Sequence, residues 1–211
     1  MYLGVLNTGY AASFFTPTIL KEMGWSSLDA QVMSIPVYIV AAVLTLCAAL
    51  LRDYFRHRFA FALSGCMIAT VGYSILLAQQ LVTTDIRYFA LFAVVGGGFI
   101  AQPIMIGWLS NNMSGHYKQA IASAVQIGFG NCGGFVASNI FIQGEAPGYR
   151  SGYGTSLGLI WVTAISATVM FLVLYLENRR RSSGGRDYLL GMEESDVNNL
   201  GDAHPHFRFT Y

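Results

Sequence analysis

The sequence predicts an all-helical membrane protein, six transmembrane helices followed by a polar tail. Three observations predict it. Of 211 residues, 54% are hydrophobic and 11% charged, and the mean hydropathy is +0.49, far from the balance of a soluble domain. Six runs lack Asp, Glu, Lys, Arg and His altogether and are of about the 20 residues that a helix needs to cross a hydrocarbon core of roughly 30 Å. All twelve Lys and Arg, all eleven Asp and Glu, and all four His fall outside those runs. The runs do not alternate on the ten-residue scale of a transmembrane barrel, so they read as helices.

The first span, about Tyr2 to Leu20, carries Asn7, Tyr10 and Thr16. It begins at Met1 with no basic segment of a signal peptide ahead of it, and this abrupt start reads as the trailing portion of a longer chain or a form shortened at its start. The second, about Ala30 to Leu51, holds Gln31, Pro36, Tyr38 and Thr45, and the charged loop LLRDYFRHR closes it. The third runs from about Phe59 to Leu81. The fourth, about Tyr88 to Ser110, combines Gly96-Gly97-Gly98 with Gln102-Pro103 and then Trp108. Weak helix formers beside a proline predict a bend there.

The fifth span, about Gln119 to Gln143, contains QIGFGNCGGFVASN, in which Gly128, Gly130 and Gly133 spell G-x-G-x-x-G. A dinucleotide loop would follow a strand, open a helix and meet an acidic residue about 20 positions later. Here the flanks are helical, and Glu145 lies beyond the span's end. The glycines therefore read as a close-packing face, Gly130 with Gly134 and Gly133 with Ala137, extended by Ala120, Ala124 and Gly128. Asn131, between them, would leave an amide facing lipid unless it meets a partner or a cavity. The sixth span covers about Gly154 to Leu176, and residues 177–211 read as a largely disordered tail with too few apolar residues for a core.

The basic residues give an orientation. Arg52, Arg56, Arg58, Lys118, Arg179, Arg180, Arg181, Arg186 and Arg208 fall on one side, and Lys21, Arg87 and Arg150 on the other. The richer side is expected to be cytoplasmic, with the tail there, in a membrane read as the plasma membrane. Asn112-Met113-Ser114 is a formal glycosylation sequon, but it falls on that side and is expected to be unmodified.

Several chemistries are excluded or weak. Cys47, Cys66 and Cys132 each lie within a span and form no metal pattern, and a net charge of +1 gives no basis for nucleic-acid binding. His204 and His206 alone make a poor metal site. No catalytic constellation is visible, so an enzyme is not expected, nor any cofactor.

The stretch GWLSNNMSGHYKQAIASAVQIGFGNCGGFVASNIF resembles the tenth and eleventh helices of the fungal anion:cation symporters of the major facilitator superfamily, in particular the allantoate and nicotinic acid permease group. YAASFFTPTILKEMGW and LGDAHPHFRFTY resemble the same group's seventh helix and C-terminus, and the match covers nearly the whole chain. The resemblance implies the C-terminal six-helix half of a twelve-helix symporter that moves a small organic anion, such as allantoate or nicotinate, together with protons across the bilayer. Its partner would be the missing N-terminal half or another transporter chain. It also implies that Tyr10, Phe14, Gln102, Trp108 and Asn131 face the central cavity, and that Asp53, Arg56 and Arg58 form a conformational lock loop in which Tyr54 stands where a basic residue is common. A rival expectation is a non-transporting membrane protein that associates with a full-length transporter and modulates it.

Overall fold

The computed structural model describes residues 1–55, 57–146, 148–186, 188 and 200–211. Its helices are α1 (Tyr2–Glu22), α2 (Ser27–Phe55), α3 (Arg58–Leu77), α4 (Thr84–Asn111), α5 (His116–Ile140) and α6 (Arg150–Ser182), with short 3-10 turns at Gln143–Glu145 and Gly201–Ala203. Local chemistry sets several ends. Gly24 stops α1 with φ +107°, a conformation costly for any residue with a Cβ. The Asp29 amide donates to Ser26 Oγ at 3.2 Å, and Ser26 Oγ donates to the Asp29 carboxylate at 2.7 Å, which caps α2. The Glu145 carboxylate accepts from the Ser151 amide at 2.8 Å, placing negative charge at the positive end of α6.

Helices α2 to α6 are each long and apolar enough to cross a membrane, whereas α1 does not reach that standard. The first expected span is therefore present as a helix but is more polar than the others. Two helices end short of their expected spans, while others run past theirs. The third helix stops at Leu77, where Gln79 and Gln80 begin a turn, rather than at Leu81, and the fifth stops at Ile140 rather than Gln143.

The bundle is built around α1 and α4. The triple glycine of α4 does not interrupt the helix, which runs unbroken from Thr84 to Asn111. Successive residues of a helix point about 100° apart, so the three glycines open three directions to three neighbours. A Cβ on Gly96 would lie 3.0 Å from Leu44 of α2, one on Gly97 2.5 Å from the Gly65 carbonyl of α3, and one on Gly98 2.8 Å from Thr8 of α1. Between membrane helices this is how close backbone approach is obtained.

The glycine face of α5 packs on α1, but it is narrower than the sequence implied. Gly130 sits against Tyr2 and Leu6, Gly133 against the Leu3 and Asn7 backbone, and Gly134 against the Tyr10 ring, with Ala137 fully buried. Gly128 has open space beside it, and Ala120 and Ala124 are exposed, so these three lie off the contact. The expected stripe mixed two faces, because i+4 steps drift around a helix of 3.6 residues per turn.

Part of the tail packs against the bundle. Helix α6 continues to Ser182, and residues 200–211 lie against the ends of α4, α5 and α6 instead of extending freely. Residues 187 and 189–199 are outside the described residues. The tail's few apolar side chains need no core of their own, because Tyr211 packs on Phe171 and Tyr175 of α6.

Candidate functional site

Tyr10, Phe14 and Asn131 are linked through the Tyr10 side chain across α1 and α5, and Gln102 of α4 lies beside α1 at the neighbouring Gly9. The Tyr10 hydroxyl donates to Asn131 Oδ1 at 2.9 Å, joining α1 to α5. Phe14, one turn further along α1, is 52% exposed, and its ring stacks with that of Tyr10 at a centroid distance of 5.9 Å. Gln102 of α4 reaches α1 beside Gly9, where a Cβ would stand 3.7 Å from Gln102 Oε1. Gly134 makes room for the Tyr10 ring, which a Cβ there would approach to 2.8 Å.

This group of residues is neutral and rich in hydrogen-bonding groups. Because Asn131 Oδ1 accepts the Tyr10 proton, the amide NH2 of this exposed residue is left to donate outward. An aromatic face and amide donors on one wall suit a small planar solute carrying a carboxylate. A bilayer interior offers such groups no water, so a wall of this kind must face either another protein unit or an aqueous path.

Trp108 does not join this wall. It is fully buried, its indole N–H donates to the Thr210 carbonyl at 2.9 Å, and its ring lies 6.3 Å from that of Phe59. Its place is the end of the bundle where the tail docks. Gln126 is tied elsewhere too, donating to the Met105 carbonyl at 3.1 Å, and Asn139 bonds the Phe135 carbonyl of its own helix.

The expected lock residues are divided. Asp53 pairs with Arg52 at 2.6 Å, and Arg58 donates from Nη1 to the Gly107 carbonyl of α4 at 3.0 Å. Arg56 lies outside the described residues. A cleft of about 300 Å³ opens between Arg52, Asp53, Arg58 and Thr210, so the loop faces the docked tail. This contact had no signal in the local sequence, since the two segments are separated by most of the chain.

Asn112, read from the sequence as a sequon, is 4% exposed and bonded at both amide atoms, to Trp108 and Thr210. A grouping of three or more His, Cys, Asp or Glu able to hold a metal is absent among the described residues. The His206 amide donates to His204 Nδ1 at 3.1 Å, a local turn.

No protein-family model matches the chain. It is similar to fungal transporters. An uncharacterised transporter of Schizosaccharomyces pombe is 34% identical over 200 residues, covering 95% of this chain and 39% of the relative. The high-affinity nicotinic acid transporter of Saccharomyces cerevisiae is 28% identical over 210 residues, 99% of this chain and 39% of its own length. A major facilitator-type transporter of Penicillium expansum is 30% identical over 208 residues, with 95% and 40% covered. The chain thus spans about two fifths of the length of the curated relatives it matches.

Proposed function

We propose, from its match to part of fungal major facilitator transporters, that the chain is the second six-helix unit of a proton-coupled transporter for a small organic anion. The observation that carries the reading is the Tyr10–Asn131 bond between α1 and α5 with Phe14 stacked on Tyr10, a polar and aromatic wall of which Phe14 and Asn131 are exposed. Phe14 offers a ring face to a planar solute, and the Asn131 amide donates to its carboxylate. The similarity to a nicotinic acid transporter supports an aromatic carboxylate of that kind. The wall has no cation, so the counter-charge and the proton-carrying group are assigned to the opposing six-helix unit. Alternating access in this architecture requires two units to rock about a central site.

The same reading places Asp53, Arg56 and Arg58 as the loop that latches one closed state, and it puts the tail on the cytoplasmic side of the plasma membrane. Labelled nicotinate uptake tests the wall directly. The chain is fused to the portion of the yeast nicotinic acid transporter that it does not match, and surface expression is measured in parallel. Saturable uptake that falls tenfold or more in Asn131→Ala and Tyr10→Phe, and persists in Asn139→Ala, supports the proposal. Uptake unchanged by both wall substitutions overturns it.

A further inference from the structure

We propose that the ends of α4, α5 and α6 form a peptide-binding groove that reads the chain's own C-terminal segment, Gly201 to Tyr211, as a detachable strap pinning the α4–α5 corner to α6. The inference does not depend on what is transported.

Two asparagines carry it. Asn178 of α6 donates from Nδ2 to the Phe209 carbonyl at 2.8 Å and accepts the Phe209 amide on Oδ1 at 2.9 Å. Asn112, the residue after α4, donates to the Thr210 carbonyl at 2.9 Å and accepts the Thr210 amide at 2.8 Å. In each case one side-chain amide satisfies both backbone groups of one residue, the pairing that a neighbouring strand would supply. In an extended peptide consecutive residues present these groups to opposite edges. The two asparagines therefore grip the strap from its two sides, one from α4 and one from α6.

Further contacts fix register. The Arg181 guanidinium donates to the Asp202, His204 and Phe207 carbonyls and lies 4.5 Å from the Phe209 ring centroid. Lys118 of α5 pairs with Asp202 at 2.6 Å. Phe209 lies on Arg181, and Tyr211 lies against Phe171 and Tyr175. This is peptide recognition by backbone pairing with side-chain pockets at alternate positions. The strap's deepest contacts are the Thr210 carbonyl on the buried Trp108 indole and the Tyr211 ring on Phe171. The segment can leave without unpacking a helix, and its departure frees Asn112 at the α4–α5 corner and uncovers the Arg52, Asp53 and Arg58 cleft.

Hydrogen–deuterium exchange on the full 211-residue chain in nanodiscs tests this. In the parent, fragments covering 200–211 are expected to exchange at least tenfold more slowly than the free synthetic peptide of the same sequence. Asn178→Asp replaces the donor with an oxygen of the same shape, and Phe209→Pro with Thr210→Pro removes both strap amides without touching a helix. Both variants are expected to bring the strap to free-peptide rates and to raise exchange at 109–118. Adding the parent peptide to the proline variant restores slow exchange at 109–118, whereas a scrambled peptide does not. Strap exchange at free-peptide rates in the parent overturns the proposal. So does a corner indifferent to the proline substitutions, or equal restoration by the scrambled peptide.

Discussion

Gly133→Ala is the sharpest test of how α1 and α5 hold the candidate wall. A Cβ at Gly133 would stand 2.5 Å from the Leu3 carbonyl oxygen and 2.8 Å from the Asn7 amide nitrogen. Both are backbone atoms of α1, so no side chain can rotate away. Ordinary contact begins near 3.4 Å, and the helices must part by roughly 0.9 Å to reach it. Overpacking of this kind costs about 1–3 kcal/mol, and the better helix propensity of alanine returns about 1 kcal/mol.

Gly128→Ala supplies the control, because it carries the same propensity gain on the same helix with nothing within 4 Å of the new methyl. The difference between the two variants isolates the steric effect at about 1–3 kcal/mol. The same parting would stretch the Tyr10–Asn131 bond, now 2.9 Å, to roughly 3.8 Å, beyond hydrogen-bonding range. Unfolding of the purified chain in detergent, followed by temperature or by added denaturing surfactant, reads the stability difference. Equal stability of the two alanine variants would refute the argument.

Other outcomes follow from separate contacts. Asn7, fully buried, donates to Ser156 Oγ at 3.0 Å, so Ser156→Ala leaves that amide without its partner and is expected to cost about 1–3 kcal/mol in the same unfolding assay. Hydrogen bonds from the Ser151 side chain and then its backbone amide hold the Glu145 carboxyl below its usual range. A carboxylate lowered by folding stabilises above its unfolded value and loses that contribution as pH falls through the folded one. The parent's advantage over Glu145→Gln in melting temperature is therefore expected at neutral pH and should vanish in acid. Arg58→Ala removes the bond from α3 to the Gly107 carbonyl and is expected to quicken amide exchange over 104–111, while exchange in α5 stays as it was.

The helices and the wall were legible in the sequence to different degrees. Charge-free runs located all six helices, because the pattern is local and repeated along the chain. Asn131 stood out because an amide among glycines has no packing reason. The tail was not legible: Asn112 resembled a sequon, and Asn178 and Arg181 fell in a stretch read as a largely disordered extension. Their partners, Thr210, Phe209 and the strap carbonyls, lie far along the chain. Side-chain recognition of a distant backbone leaves no periodicity behind. Trp108 was assigned to the cavity with its neighbours on α4, yet it points to Thr210, a difference of helix face that composition does not encode.

The polarity of α1 is explained by where it sits. A helix that meets lipid over much of its surface must be apolar around that surface, whereas one enclosed by others need only match its neighbours. Asn7, Thr8 and Thr16 are buried to 1% exposure or less, and Asn7 reaches Ser156 of α6. The remaining face carries Tyr10 and Phe14 toward the wall. Asn7 and Tyr10 thus use their polarity on bonds to α6 and α5, while Thr8 and Ser13 bond carbonyls of α1 itself. The helix least like a membrane span is the one around which both the packing and the proposed transport site are arranged.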